Sequence, residues 1–126
     1  MQNFIFLRIN GDNWKVNYND IQYIEAVDKY VKIFTVDSKK VYLLLFSMCQ
    51  VEKLLPAGKF CRIHRSYIVS VQHITHFNNE ICCITDKELP VGKFYKGSLE
   101  DKVTIWGVNT RNKLSGNNVD RLLETL

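Results

Sequence analysis

The sequence has no long apolar run and no secretory start. Its longest uninterrupted apolar stretch, residues 41 to 46, has six residues, whereas a membrane-spanning helix needs roughly 18. The N-terminus lacks the basic start, the apolar region and the small-residue cleavage site of a signal peptide. We therefore expect a cytoplasmic protein without a membrane partner.

Glycine, proline and cysteine are scarce. The 126 residues include six Gly, two Pro and four Cys without a Cys-x-x-Cys pair, which excludes collagen-like and disulfide-rich chains. We expect all four thiols to be reduced and most to be buried: Cys49, Cys61, Cys82 and Cys83. Bulky, β-favouring side chains are abundant instead, with seven Phe, six Tyr and two Trp. The length and the 46% apolar content predict one sheet-rich globular domain.

Acidic residues are outnumbered only slightly. Seventeen Lys and Arg against thirteen Asp and Glu give a net charge of +4. The excess lies between residues 29 and 102, where twelve basic residues accompany seven acidic ones. This distribution is compatible with a nucleic acid partner, but a charge this small does not by itself distinguish such a partner from an ordinary solvated surface.

Short apolar or alternating segments between polar breaks predict the first strands. Two of them are Phe4–Ile9 and Ile21–Val27, each of which ends at a polar stretch. Residues 30 to 36 alternate as Tyr, Val, Lys, Ile, Phe, Thr and Val, and residues 41 to 46 follow after a four-residue polar break. These two segments predict an antiparallel hairpin.

A second hairpin is predicted further along the chain, from residues 73 to 77 and residues 80 to 85. The intervening Asn78-Asn79 pair tolerates the positive φ that a tight two-residue turn demands. Residues 103 to 108 form another β-favouring run, which we expect to be one more strand.

Helical spacing occurs in two places. Ser47 precedes Gln50 by three residues, which is the arrangement of a capping box. Apolar residues then recur at helical spacing until Pro56, so a helix is predicted over residues 48 to 55. A second short helix is expected over residues 94 to 102.

The composition changes near residue 109. Residues 109 to 118 are rich in Asn, Thr, Lys, Ser and Gly, as is typical of a linker. An apolar stripe at helical spacing follows: Val119, Leu122, Leu123 and Leu126. We therefore expect a domain over residues 1 to 108, followed by a linker and a short amphipathic segment over residues 109 to 126. That segment is too short to be stable alone, so it would dock on this domain or on a second copy.

The densest polar cluster spans residues 62 to 67 and contains Arg62, His64, Arg65, Ser66 and Tyr67. Arg and Ser bind phosphate oxygens, and Arg can also form two hydrogen bonds with the N7 and O6 atoms of guanine. Such a loop suits DNA. On composition alone, however, a solvated loop between two strands is the better explanation.

Two other kinds of site are rejected. His64 near Ser66 suggests a hydrolase, but no Gly-x-Ser-x-Gly turn is present. Four residues have the spacing of metal ligands: Cys61, His64, His73 and His76. Residues three apart in a strand point to opposite faces, so His73 and His76 cannot bind one ion. We expect no enzyme activity, no metal or cofactor, and no small-molecule substrate.

Several motifs follow one another in a characteristic order. They are Tyr-Ile-Glu-Ala at residues 23 to 26, Asp-Lys-Tyr-Val-Lys-Ile at 28 to 33, Leu-Leu-Pro at 54 to 56, Phe-Cys-Arg-Ile-His-Arg-Ser-Tyr-Ile-Val at 60 to 69, and Leu-Pro-Val at 89 to 91. This order, and above all the His-Arg-Ser-Tyr-Ile-Val string, resembles the LytTR-type DNA-binding domain of the LytR/AlgR family of bacterial transcriptional regulators. The resemblance covers residues 4 to 102.

The resemblance implies a mainly β, elongated domain of about ten antiparallel strands with one or two short helices. It implies loops that enter successive major grooves of double-stranded DNA, and a homodimer on direct repeats. Members of the family are mostly response regulators of two-component systems with an N-terminal receiver domain. The twenty residues before Ile21 are too few for a receiver, so we expect a separated output domain or another route of regulation.

The resemblance also places the DNA contacts in three loops. These match residues 28 to 32, residues 64 to 66, and the Gly92-Lys93 pair. With neighbouring cations included, the expected DNA-binding residues are Lys29, Tyr30, Val31, Lys32, Arg62, His64, Arg65, Ser66, Lys93 and Lys96. The six cations are expected to neutralise phosphates, and Arg65, with His64 beside it, to read bases.

Two residues depart from the family pattern. Lys93 stands where Arg is usual, and it keeps the charge but loses the planar fork, so a phosphate contact is expected there. Ser70 stands where Asn is common, which changes the hydrogen bonding of that turn. Two alternatives stay open: a protein-interaction module with a basic loop or an exposed strand edge, and a small-molecule or membrane-surface sensor, which would need an apolar pocket.

Overall fold

The computed structural model describes residues 2 to 107. Among these residues there are ten strands and one α-helix: β1 (Phe4–Ile9), β2 (Asp12–Asn17), β3 (Ile21–Val27), β4 (Tyr30–Thr35), β5 (Val41–Leu44), α1 (Met48–Leu54), β6 (Phe60–His64), β7 (Tyr67–Ser70), β8 (Ile74–Phe77), β9 (Ile81–Ile84) and β10 (Lys87–Pro90). Single 3₁₀ turns occupy Tyr18–Asp20, Val71–His73, Lys93–Tyr95 and Glu100–Lys102. The expected mainly β fold of about ten antiparallel strands is confirmed. No helix in this part of the chain is long and apolar enough to cross a membrane.

The strands form three antiparallel sheets. The central sheet has the order β5-β4-β3-β7-β6, while β1-β2 and β10-β9-β8 form smaller sheets. Successive side chains of a strand point to opposite faces, and both faces of the central sheet are covered near β3. Ile24 packs in a cluster with the β1-β2 hairpin and α1, whereas the adjacent Tyr23 packs in a cluster with the three-stranded sheet.

The helix α1 begins as the sequence predicts. The Ser47 hydroxyl accepts a hydrogen bond from the Gln50 N–H at 3.1 Å, and the Gln50 side chain accepts one from the Ser47 N–H at 2.8 Å. Met48 and Val51 are buried against the central sheet. This reciprocal capping satisfies two otherwise unpaired backbone groups.

Two hairpin turns differ from the expected chemistry. Asn10 and Gly11 have φ of 52° and 83°, so they form the two-residue turn that joins β1 to β2, a strand that the sequence analysis did not predict. In the predicted second hairpin, Asn78 and Asn79 do not adopt positive φ. Asn78 acts through its side chain instead, accepting hydrogen bonds from the N–H groups of Glu80 and Ile81 at 2.7 and 2.9 Å.

Two predicted elements after residue 93 are wrong. Residues 94 to 102 do not form one helix, because Gly97 has φ of +89° and separates the two 3₁₀ turns. Residues 103 to 107 do not form a strand. Ile105 and Trp106 are instead exposed. Residue 108 and the predicted linker and apolar stripe of residues 109 to 126 lie outside the described residues.

All four thiols are free, and the expectation that most are buried holds only in part. Cys61 and Cys82 are buried, Cys83 is half-buried and Cys49 is exposed. Burial raises the pKa of Cys61 and raises the pKa of Cys82 to about 12. The two buried thiols therefore stay protonated at neutral pH.

Candidate nucleic-acid interface

Three loops that carry the expected contacts lie at one end of the central sheet. We define them as loop 1 (residues 28 to 30), loop 2 (residues 64 to 66) and loop 3 (residues 92 to 93). Loops 1 and 2 are neighbours because β3 pairs with β7 in antiparallel register, with Glu25 opposite Tyr67. The N–H of Ala26 also donates to the Ser66 carbonyl oxygen at 2.9 Å. The backbone itself therefore fixes the distance between these two loops.

Loop 3 is joined directly to loop 2. The N–H of Gly92 donates to the carbonyl oxygen of Ile63 at 2.7 Å. A β-carbon added at residue 92 would stand 3.3 Å from the α-carbon of His64. The structure thus brings together all three segments that the sequence analysis singled out.

Loop 1 presents a cation and an aromatic ring. Asp28 has φ of 58° at the turn, and Lys29 and Tyr30 are exposed.

Val31 is 0% exposed, and its side chain packs in the core. Its expected DNA contact is therefore corrected, because strand alternation turns this side chain away from the face of Tyr30 and Lys32. Lys32 is half-buried, with its ammonium 5.9 Å from the Phe34 ring centroid.

Loop 2 is held by hydrogen bonds on both sides of its exposed tip. Nδ1 of His64 accepts a bond from the Ser66 N–H at 3.0 Å, and the His64 ring packs against Tyr67 with centroids 5.5 Å apart. The Tyr67 hydroxyl donates to the Glu25 carboxylate at 3.0 Å. Burial raises the pKa of Tyr67, and the bond and charge of Glu25 raise it further. Between these supports, Arg65 is exposed.

Arg62 was expected to contact a phosphate, but its guanidinium is bonded within the protein. Its Nη1 donates to the Glu52 carboxylate at 3.0 Å, its Nη2 to the Arg65 carbonyl oxygen at 2.9 Å, and its Nε to the His64 carbonyl oxygen at 3.3 Å. The side chain is only 14% exposed. Burial alone would lower the pKa of Arg62, but hydrogen bonds to Glu52 and Cys49 and nearby charges outweigh burial and raise it. A phosphate contact by Arg62 does not fit this geometry.

Loop 3 adds a further cation. Lys93 is exposed, with its ammonium 5.8 Å from the ring of Phe94, which is itself 90% exposed. Lys96 follows, and its ammonium is 3.6 Å from the Glu80 carboxylate in an exposed ion pair. Exposed pairs of this kind are weak, so Lys96 is free to exchange Glu80 for another anion.

The histidines that suggested a metal site have other partners. His73 lies in a 3₁₀ turn rather than in the predicted strand, and its Nε2 meets the carbonyl oxygen of Asn19. Nδ1 of His76 lies 4.0 Å from the Cys83 sulfur. Residues 2 to 107 contain no group of three or more His, Cys, Asp or Glu side chains arranged to hold a metal ion.

Sequence reasoning missed two residues that support loop 2. Glu52 on α1 lies ten residues before Arg62 along the chain, and Glu25 lies 42 residues before Tyr67. No local pattern indicates either contact, because both depend on how distant strands are placed. The Tyr-Ile-Glu-Ala motif contains Glu25, but it identifies the residue without identifying its partner.

Comparisons with known proteins identify the family and agree with the fold. Residues 12 to 104 match the family described as the LytTr DNA-binding domain. Two proteins named sensory transduction protein LytT, from Bacillus anthracis and Bacillus cereus, are 33% and 32% identical to this chain over 96 residues. Each match covers 71% of this chain but only 38% of the relative. A solved LytTr DNA-binding domain of a Bacillus cereus response regulator has the same fold, with a TM-score of 0.70, 22% identity, and coverage of 83% of this chain and 100% of that one.

Proposed function

Because the chain belongs to the LytTR family of DNA-binding domains, we propose that it is the DNA-reading domain of a bacterial transcriptional regulator. Loops 1, 2 and 3 enter major grooves of double-stranded DNA and recognise a specific sequence. One observation carries this proposal: the backbone hydrogen bonds from Ala26 to Ser66 and from Gly92 to Ile63 hold the three cationic loops side by side. A rigid set of three loops can meet one duplex together.

The residues divide into two roles in this proposal. Lys29, Lys32, Lys93 and Lys96 neutralise phosphates, which supplies affinity without sequence information. Arg65 is exposed at the tip of loop 2 and has the planar donors that match guanine. His64 lies beside Arg65 and contributes to base reading, while Tyr30 and Ser66 carry ring and hydroxyl groups that suit the sugar-phosphate backbone.

The proposal also includes the kind of protein in which this domain acts. The named relatives are sensory transduction proteins, but each match spans only 38% of their length. We therefore propose, by similarity, that this domain acts in a response regulator of a two-component system. We also propose that two copies of the chain bind direct repeats in one operator.

A protein-interaction role has one observation in its favour. The strand β5 lies at an edge of the central sheet, and its Val41 and Leu43 side chains are exposed. Exposed edges of this kind accept an added strand from a partner. This role leaves the clustering of cations in loops 1, 2 and 3 unexplained, so DNA binding accounts for more of the molecule.

Selection from a random pool distinguishes the two roles. The full chain is mixed with duplexes of random sequence, bound DNA is recovered over several rounds, and the retained sequences are read. The proposal predicts enrichment of a short motif that recurs at a fixed spacing. A pool that stays flat, with weak binding to every sequence, would refute sequence-specific recognition and leave the interaction role.

A further inference from the structure

One guanidinium holds both peptide groups that flank Arg65. Arg62 donates from Nε to the carbonyl oxygen of His64 and from Nη2 to the carbonyl oxygen of Arg65. Those two carbonyls belong to the peptide planes before and after the α-carbon of residue 65. Because the orientation of the two planes sets the direction of the side chain between them, Arg62 fixes the direction in which Arg65 leaves the loop.

The guanidinium is itself fixed from the side of the helix. Nη1 of Arg62 donates to Glu52 on α1 at 3.0 Å, and the guanidinium carbon lies 5.7 Å from the centroid of the Tyr95 ring. We call the arrangement of Glu52, Arg62 and the two carbonyl groups the loop brace. The brace connects α1, a helix outside loops 1, 2 and 3, to the tip of loop 2.

We propose that Arg62 and Glu52 are positioning residues that set the base preference of loop 2 without contacting DNA. This inference rests on the proposed function, in which Arg65 reads a base. A base contact through two hydrogen bonds requires a fixed guanidinium plane, whereas attraction to phosphates requires only a nearby charge. Loss of the brace therefore reduces sequence preference while leaving general affinity for DNA intact.

Lysine cannot replace Arg62 in the brace. The Arg side chain presents five donors in a planar fork, and here the fork spans one carboxylate and two carbonyl oxygens. Lysine carries the same charge on a single nitrogen, which cannot hold the three acceptors in this geometry. Arg62→Lys therefore removes the hydrogen bonds of the brace while keeping the positive charge.

A direct phosphate contact by Arg62 makes opposite predictions. Arg62→Lys would retain that contact and change little. Glu52→Ala would remove a negative charge beside the contact, so binding to every sequence would strengthen and the salt dependence would steepen. If Arg62 instead acts in the loop brace, Glu52→Ala releases the guanidinium and weakens binding to the preferred sequence only.

The first experiment measures preference. Dissociation constants of wild type, Arg62→Lys, Glu52→Ala and the milder Glu52→Gln are determined at several salt concentrations. The probes are the duplex enriched from the random pool and an unrelated duplex of equal length. Glu100→Ala removes an equal charge from an exposed carboxylate elsewhere and serves as the matched control.

The brace predicts that the ratio of the dissociation constant for the unrelated duplex to that for the enriched duplex falls about five- to tenfold in Arg62→Lys and in Glu52→Ala. A fall of this size is part of the discrimination that one bidentate base contact supplies. The dissociation constant for the unrelated duplex and the slope of its salt dependence should equal those of wild type. The Glu100→Ala control should keep the wild-type ratio. Ratios equal to wild type in both variants would overturn the brace while leaving the proposed function standing. A wild-type chain with no preferred duplex would overturn both.

A second measurement needs no DNA. The backbone ¹⁵N order parameter of Arg65 is compared in wild type and Arg62→Lys, with the thermal midpoint recorded for each. The brace predicts a lower order parameter at Arg65 and an unchanged one at residues 78 to 80, a turn held by Asn78 instead. An Arg65 amide that stays as ordered as in wild type would contradict the brace.

Discussion

Gly92 packs directly against His64. A β-carbon at residue 92 would lie 3.3 Å from the His64 α-carbon, 3.4 Å from its Cδ2 atom and 3.1 Å from Cδ2 of Tyr95. The N–H of Gly92 also donates to the carbonyl oxygen of Ile63, the residue before His64. Loops 2 and 3 are therefore in direct contact, and the space for this contact exists because residue 92 has no side chain.

Gly92→Ala is expected to weaken binding to the preferred duplex several-fold. Residue 92 has φ of −71°, which alanine adopts without strain, so the effect comes from the close contacts with Tyr95 and His64. Overpacking of this kind typically costs about 1 to 3 kcal/mol where neighbours cannot shift. Titration of the duplex measures the change, and amide shifts of residues 64 to 66 report the displaced loop. Unchanged shifts there would show that the two loops are not coupled.

Arg65→Ala and Lys93→Ala should differ in kind. Arg65→Ala is expected to cost about 1 to 3 kcal/mol on the preferred duplex and to relax base preference at one position. Lys93→Ala should weaken all sequences about equally and reduce the salt slope by about 1. Lys93→Arg, which keeps the charge, is the control and should retain the slope. Equal binding of wild type and Arg65→Ala to the preferred duplex would remove Arg65 from its assigned role.

The β1-β2 turn gives a test of the fold that is independent of DNA. Gly11 has φ of +83°, and alanine there is expected to destabilise the protein by about 1 to 2 kcal/mol. Gly58 has no neighbour within 4 Å and no positive φ, so Gly58→Ala should be neutral or slightly stabilising. Urea unfolding of both variants checks this. A cost at Gly58 as large as the cost at Gly11 would contradict the turn geometry.

Stability should fall at alkaline pH through the buried thiol of Cys82. Burial raises its pKa from 9.0 to about 12, so above pH 9 the unfolded chain releases this proton while the folded chain keeps it. Ionisation of the exposed thiol lowers the free energy of the unfolded state, so the free energy of unfolding falls as the pH rises from about 9 towards 12.

Urea unfolding of wild type and Cys82→Ala between pH 7 and pH 11 measures this dependence. The variant should lose less stability than wild type over that range, whatever its stability at pH 7. Cys49→Ala removes an exposed thiol and should keep the wild-type dependence. Identical slopes for wild type and Cys82→Ala would show that Cys82 does not carry the effect.

Local patterns predicted the elements that local chemistry determines. The β4-β5 hairpin follows from the alternation of residues 30 to 36, and α1 follows from the Ser47 and Gln50 capping pair. The same alternation also indicates that Val31 faces away from Tyr30 and Lys32, so its burial could have been read from the sequence. The separated 3₁₀ turns after residue 93 had a signal too, because Gly97 interrupts the run at a positive φ.

The loop brace could not be predicted in this way. The sequence places Arg62 in a basic cluster, and a basic cluster suggests contact with an anion outside the protein. The structure shows that its anion is Glu52, on a helix that shares a core cluster with Phe60 of β6. Only the tertiary placement of the helix distinguishes a cation that binds DNA from a cation that holds a loop.

The central claim is that the three loops contact one duplex at the same time. Residues 37 to 40 provide an internal reference, since they follow the far end of β4, about 20 Å from loop 1 at the usual rise of a six-residue strand. Amide chemical shifts of the whole chain are followed while the enriched duplex is added. If the three loops bind one duplex together, the amide chemical shifts of loops 1, 2 and 3 change with the same midpoint DNA concentration. The shifts of residues 37 to 40 stay constant. Changes centred on residues 37 to 40, or in one loop alone, would contradict the central claim.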